Sequence, residues 1–378
     1  MRSSILPAVA PLFALGVLAG AFLSQRPPAP IDAPDPRVGE ELVQRAHAAL
    51  SVVEQRHQRR FVQGLDPVEF EAAFQVRVNQ AVEHDIPDEM QQAGFELFIS
   101  DRLSDRRRKS AVEANRCASC HHRLGTGGAG GLVDNYFGGR NPPALGGAAL
   151  LERTAAEMSA ELGADAAAGR PLQTKGISFG SKDAPSGLSK DLRIRPFGRG
   201  RWATLDEAIA AMGAQALGIE LTVPERKSLR AWIATLPPPG LEPPDSSRMP
   251  DLFERFQRGR GRFQALGCAT CHVPEVTLTD GTVVRAYTDF KFHDLGPELA
   301  EKGERKHFTS PLWGLAGTAP WLHDGRALAS LDDAIAAHGG EAEPAVKAYL
   351  ALDIAGRGEL KVFLLSLAPE PKLQIAGQ

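Results

Sequence analysis

The same order of apolar and polar positions occurs twice along the chain. Leu205 to Met212 reads Leu-Asp-Glu-Ala-Ile-Ala-Ala-Met, and Leu331 to His338 reads Leu-Asp-Asp-Ala-Ile-Ala-Ala-His. Val223 to Leu236 pairs with Ile354 to Leu367, and both segments carry apolar residues at helical spacing. Thr222 and Pro224 supply a helix start for the first of them. Two loop segments recur in the same order: Pro142 to Ala148 with Ser310 to Ala316, and Phe197 to Arg201 with Leu322 to Arg326. Gly261 to Cys268 predicts a helix at the head of the second set, and Gly94 to Phe98 takes that place in the first. Segments that recur in one order mark a duplicated unit. Lys175 to Pro196 has no helical period and predicts a small hairpin.

The proline-rich stretch Pro237 to Pro244 separates the units as a stiff spacer. The expected organisation is 1–30 as signal or anchor, 31–92 as a solvated helical extension, and domains at 93–240 and 245–370. A chain of 378 residues accommodates two such domains. Its 38 glycines and 28 prolines require long loops between short helices. With 43 basic and 46 acidic residues the net charge is −3, so no basic excess argues for a nucleic-acid partner. Arg2 is followed by an apolar run, Ile5 to Leu23, broken by Pro7, Pro11, Gly16 and Gly20. This reads as a secretory signal, and Ala19-Gly20-Ala21 fits a cleavage site. Left uncleaved, the run is an inner-membrane anchor. Either way the domains are expected in the periplasm, with membrane contact only through that segment.

All four cysteines fall in two CxxCH motifs, Cys117-Ala-Ser-Cys120-His121 and Cys268-Ala-Thr-Cys271-His272. This is the attachment signature of c-type haem. Two thiols one turn apart reach the two vinyl groups of one porphyrin, and the next histidine lies under the ring as an iron ligand. A redox dithiol, half a zinc site or a disulfide explains the cysteines but neither histidine. The reading is therefore two covalent haems with His121 and His272 as proximal ligands. The fold expected is mainly α: two tandem cytochrome c-like haem domains with long Gly/Pro-rich loops and a small hairpin in the first.

Few residues can take the sixth position of each iron, because the chain has only 10 His and 5 Met. His338 ends a repeated helix directly before Gly339-Gly340, where backbone can approach a haem edge. Met212 holds the same register in the first unit, as an iron ligand or as core packing. His323 lies in a turn with Asp324-Gly325-Arg326, where Asp324 or Arg326 can meet a propionate or orient the imidazole. His293 and His307 read as loop histidines, His122 as exposed, and His47, His57 and His84 as solvated.

The tandem motifs, with Ser310-Pro-Leu-Trp-Gly314 and Leu322-His-Asp-Gly-Arg326 in the second unit, resemble the bacterial di-haem cytochrome c peroxidase and MauG superfamily. His293-Asp-Leu-Gly-Pro-Glu-Leu299 and His338-Gly-Gly-Glu-Ala342 make the likeness closest to its di-haem oxidoreductase family. The resemblance is strong over 255–368, looser over 94–236 and absent before 90. It implies an electron-transfer haem in the second domain and a peroxidatic haem in the first. Where the peroxidases carry Met and the MauG-type enzymes Tyr, this chain carries His338, which implies a low-potential bis-His haem. The family's catalytic Glu falls on Gly218, leaving Glu220 and Glu207 as candidates. Its inter-haem Trp falls near Gly198, with Trp202 close enough to substitute.

Three functions follow from that resemblance. In the first, a small periplasmic donor, a cytochrome c or cupredoxin, delivers electrons through the second haem and Trp202 to the first, where peroxide is reduced. Glu220 or Glu207 moves the proton, and Arg199 or Arg201 stabilises charge or pairs with propionates. In the second, the protein is a non-enzymatic di-haem electron carrier with both irons six-coordinate, which Met212 favours. The third is MauG-like oxidation of a partner protein.

Overall fold

The computed structural model describes residues 88–100, 116–121, 141–241, 243–318, 321–327 and 330–367. The expected signal or anchor, most of the N-terminal extension, and His47, His57, His84 and His122 lie outside the described residues. Among the described residues no helix is long and apolar enough to cross a membrane.

The two stretches that recur in the sequence each belong to a clasped helix pair. Helix α1 (Asp88–Ile99) opens the first repeat. After α2 (Ala148–Ala167) and α3 (Leu205–Met212), the repeat closes with α4 (Val223–Ala234). The second opens with α5 (Pro250–Ala265), continues through α6 (Leu331–Ala336) and α7 (Glu343–Leu350), and closes with α8 (Ile354–Leu365). In each repeat a glycine of the opening helix lies on the backbone of the closing one. A Cβ on Gly94 would stand 1.9 Å from the Ser228 carbonyl oxygen, and one on Gly259 would stand 2.0 Å from that of Glu359. Trp232 and Phe363 occupy matching places one turn on, each with its own Cβ 2.9 Å from that imagined atom.

Nothing short of backbone displacement could fit a methyl group there, so Gly94→Ala and Gly259→Ala should each destabilise the fold by roughly 1–3 kcal/mol. Gly163, within α2, has open space where its Cβ would be. Gly163→Ala should therefore raise stability by roughly 0.5–1 kcal/mol. Thermal unfolding of the three variants checks the contrast, and equal effects would refute it.

The helix starts follow local chemistry. Thr204 and Thr222 each form a capping box, with Glu207 and Glu225 as the reciprocal acceptors. Ser330 and Asp353 cap α6 and α8 through Asp333 N–H and Gly356 N–H. The loop repeat is shifted by one residue from the sequence pairing. Gly147 and Gly314, not Gly146 and Gly314, share the same left-handed conformation (φ 75°, ψ 8°) ahead of a helical turn.

The hairpin lies slightly earlier than expected. Strands β1 (Gln173–Thr174) and β2 (Ile177–Ser178) pair antiparallel around Lys175 and Gly176, both at positive φ. Two further pairs were not legible in the sequence: β3 (Val276–Thr277) with β4 (Val283–Val284), and β5 (Phe292–Asp294) with β6 (Lys306–Phe308).

Among the described residues three apolar cores hold these elements. One surrounds Trp232, with Phe95, Phe98 and the Cys117–Cys120 turn. Another surrounds Phe363, with Phe256, Phe263, Tyr287 and the Cys268 turn. The third joins Leu150, Leu151, Met158 and Leu162 of α2 to Val276, Phe290, Phe308 and Trp313. The proline spacer near 240 is thus a boundary along the chain, while the packing continues across it.

Candidate haem sites

Both CxxCH motifs fold alike. Cys117–Ser119 and Cys268–Thr270 each make one 3₁₀ turn. His121 N–H donates to the Cys117 carbonyl at 3.1 Å, and His272 N–H to the Cys268 carbonyl at 3.0 Å. No disulfide joins any of the four cysteines. Burial pushes the Cys117 thiol up to about 12 and the Cys268 thiol up to about 11. A redox dithiol needs a thiol pKa below its ordinary value, so these motifs do not suit dithiol exchange.

The second site places His272 and His338 in electrostatic reach of each other. His272 Nδ1–H donates to the Tyr287 carbonyl at 3.0 Å, and His338 Nδ1–H donates to the Ala334 carbonyl at 2.8 Å. A carbonyl only accepts, so both rings carry their proton on Nδ1 and keep the Nε2 lone pair. That is the arrangement by which metal-ligating histidines are oriented. Burial pushes His272 down to about 4 against the pull of the Tyr287 carbonyl, with His338 lowering it further. Burial likewise lowers His338. Both are neutral at neutral pH, as iron ligation requires.

Tyr287 is held in an unusual way. Its ring packs at 5.9 Å from Phe263 and 6.0 Å from Phe363, while its backbone is left-handed at φ 55°. That conformation costs a non-glycine residue roughly 1–2 kcal/mol. Here it turns the carbonyl onto His272 while the side chain stays in the core.

His293 differs from the expected loop histidine. It lies on β5 and is 8% exposed. Its Nε2 donates to Asp289 and its Nδ1 to Glu341, each at 2.8 Å. The Asp289 carboxylate, assisted by Cys271 and Glu341, pushes the imidazolium up to about 11. The only signal for this in the sequence was two acidic residues, four positions before His293 and three after His338.

The first site is enclosed differently. Cys117, Cys120, Leu145 and Phe197 pack with Leu205, Ile209, Leu217, Ile219 and Leu221. Met212 ends α3 half-buried, in the register that His338 holds after α6. The chain then continues into a π turn, Gly213–Leu217, and reverses at Gly218 with φ 65°. Glu220 follows on the surface. Glu207 serves the start of its own helix, accepting from Ala203 and Thr204 N–H at 2.7 and 3.2 Å. Trp202 closes a tight loop with Phe197 through two backbone hydrogen bonds. Its ring lies on Gly198, where a Cβ would stand 2.1 Å from the indole. The Trp202 ring thus fills the space that a side chain at 198 would enter.

A junction joins the repeats. Arg199 donates to the His323 carbonyl at 2.9 Å and pairs with Glu301. Asn141 N–H donates to the same carbonyl at 2.8 Å. The His323 ring lies 5.1 Å from that of His307, which in turn is in electrostatic reach of His338. Burial lowers both His307 and His323, with the Arg199 guanidinium contributing. Arg326 donates to Asp324 at 2.6 Å and to the Glu298 carbonyl at 2.8 Å.

Residues 253–367 match the family described as "Di-haem oxidoreductase, putative peroxidase". No curated protein matches the chain. Among solved structures, a MauG-like protein associated with microbial copper homeostasis is 16% identical, with a TM-score of 0.41, covering 77% of this chain and 92% of its own. Hydrazine synthase of Kuenenia stuttgartiensis is 14% identical, with a TM-score of 0.42, covering 80% of this chain and 93% of its own.

Proposed function

We propose that this chain, which carries the domain of the di-haem oxidoreductases over residues 253–367, is a periplasmic enzyme of the peroxidase type. The observation that carries the reading is an asymmetry. His272 and His338 lie in electrostatic reach of each other, both as Nδ1–H tautomers, whereas the first repeat carries the weaker ligand Met212 in the matching register. Cys268, Cys271, His272 and His338 would hold the second haem, and Cys117, Cys120 and His121 the first. Bound haem supplies one-electron chemistry and an iron coordination position.

The chain's own residues do the rest. A bis-imidazole environment favours a low potential and a fixed coordination, which suits accepting electrons from a small cytochrome c or cupredoxin. Trp202 stands in the first repeat's loop beside Arg199, the residue that grips the His323 carbonyl, and so lies on the connection between repeats. Glu220, in the segment after the π turn, is the proton carrier toward peroxide. Glu207 is less suited, because its carboxylate is committed to the helix cap.

Met212 also favours a second reading, a di-haem electron carrier in which that thioether closes the first iron. Optical and EPR spectra of the holoprotein, oxidised and half-reduced, with and without peroxide, separate the two. The enzyme reading expects one high-spin haem, or one that becomes so on half-reduction, whose spectrum peroxide then changes. Two low-spin haems that ignore peroxide would establish the carrier, and Met212→Ala would then open the first iron.

A further inference from the structure

His293 reaches both walls of the second site. On one side its Nε2–H binds Asp289, a carboxylate 2% exposed and two residues beyond Tyr287, whose carbonyl orients His272. The other oxygen of Asp289 accepts from Lys291 N–H at 3.0 Å, which fixes the loop between Tyr287 and β5. On the other side Nδ1–H binds Glu341, three residues beyond His338. The second oxygen of Glu341 accepts from Asp294 N–H at 2.9 Å. The turn after His338 lies directly on this strand. Gly339 N–H donates to the Leu295 carbonyl at 3.0 Å, and a Cβ on Gly340 would stand 2.3 Å from the Asp294 carbonyl oxygen.

We propose that His293 is a positioning residue of the second site, tying the Tyr287 loop to the His338 turn so that the two imidazoles are held as one rigid pair. The proposal rests on His272 and His338 being the axial ligands. Both ring nitrogens of His293 are spent on carboxylates, so the residue offers no lone pair to a substrate or an iron. Its charge is balanced locally by Asp289 and Glu341, and its role is mechanical. Without it, the His338 turn loses its side-chain tie to the Tyr287 loop and keeps its contacts with β5 and Leu295, and the Asp289 carboxylate is left buried without its cation.

One competing use of the same atoms exists. The ligand atoms of Cys271, Asp289 and His293 lie within 4.8 Å of one another, as a small cation site would require. A Cys271 bound to haem as a thioether has no thiolate to offer, and His293 already donates from both nitrogens.

The test uses the holoprotein, with carbon monoxide as a probe of the reduced second haem. The wild type is compared with His338→Ala, Glu341→Ala, His293→Gln and, as a surface control, Glu343→Ala. Glu341 is half-exposed and His293→Gln keeps the volume, so both should fold, which an unchanged haem content per chain verifies. The expected result is a rise of about 10- to 100-fold in carbon monoxide affinity for Glu341→Ala and His293→Gln, with partial loss of the low-spin signal. Glu343→Ala should match the wild type. If His338→Ala opens the iron and the other two do not, the axial reading stands and the positioning role is overturned. If His338→Ala changes nothing, the axial reading fails and the proposal falls with it. Zinc uptake by the wild-type holoprotein that His293→Gln abolishes would overturn it in favour of the cation site.

Discussion

Serine at both Cys268 and Cys271 should leave a protein with one covalent haem that still responds to peroxide but no longer turns over with an external donor. Serine forms no thioether, so a denaturing haem count should fall from two per chain to one. The matching change at Cys117 and Cys120 should give the same count and the opposite behaviour: electrons still enter, and the peroxide-induced spectrum is lost. The asymmetry follows from the two sites. His272 and His338 lie in electrostatic reach of each other with both tautomers fixed, whereas the first repeat carries Met212 and the π turn in the register where the second carries a histidine. Each loss removes one half of a relay, so donor-driven turnover should fall in both cases by orders of magnitude, to the level of free haem. Two single-haem proteins with the same peroxide response would sink the division of labour.

His338→Met should raise the reduction potential of one haem and leave the other unchanged. Axial ligands set haem potentials over roughly 0.8 V, and thioether ligation lies above imidazole ligation. The change also removes the Nδ1–H bond to the Ala334 carbonyl, which in the wild type holds the imidazole at its angle. The two effects act in the same direction, since an oriented imidazole stabilises the oxidised iron better than a thioether does. A spectroelectrochemical titration should therefore show one wave displaced upward by on the order of 0.1 V or more. Two unmoved waves would mean that His338 is not on the iron.

Much of the arrangement was legible in the residues. The CxxCH spacing, the Leu205/Leu331 and Val223/Ile354 repeats and the helix start at Thr222 and Pro224 are local patterns, and local patterns survive folding. The Gly94 and Gly259 contacts were not legible, because a glycine in a helix looks the same whether it faces open space, as Gly163 does, or another backbone. Strands β3 to β6 were missed because two or three residues are too few to establish an alternation. His293 read as a loop histidine because its partners come from separate stretches of chain: Asp289 is near in sequence, but Glu341 is brought in only by the turn after His338. The partners of Arg326 were half legible: Asp324 is two residues away in the same turn, whereas Glu298 is brought in only by the fold.

The glycine contacts bear on the order of assembly. Each repeat is clasped by its own first and last helices, with its CxxCH motif between them. With the proposed export, the chain would emerge N-terminus first, and each motif would reach the far side of the membrane before the helix that shuts its repeat. The contact that closes each repeat joins residues 100 or more positions apart, Gly94 to Ser228 and Gly259 to Glu359, and such distant contacts form late. The proposed covalent attachment would then have an interval in which the thiols are still reachable, one that ends when the last helix arrives. The first repeat completes its clasp at α4, before Cys268 has emerged, so the two attachments are expected to occur one after the other.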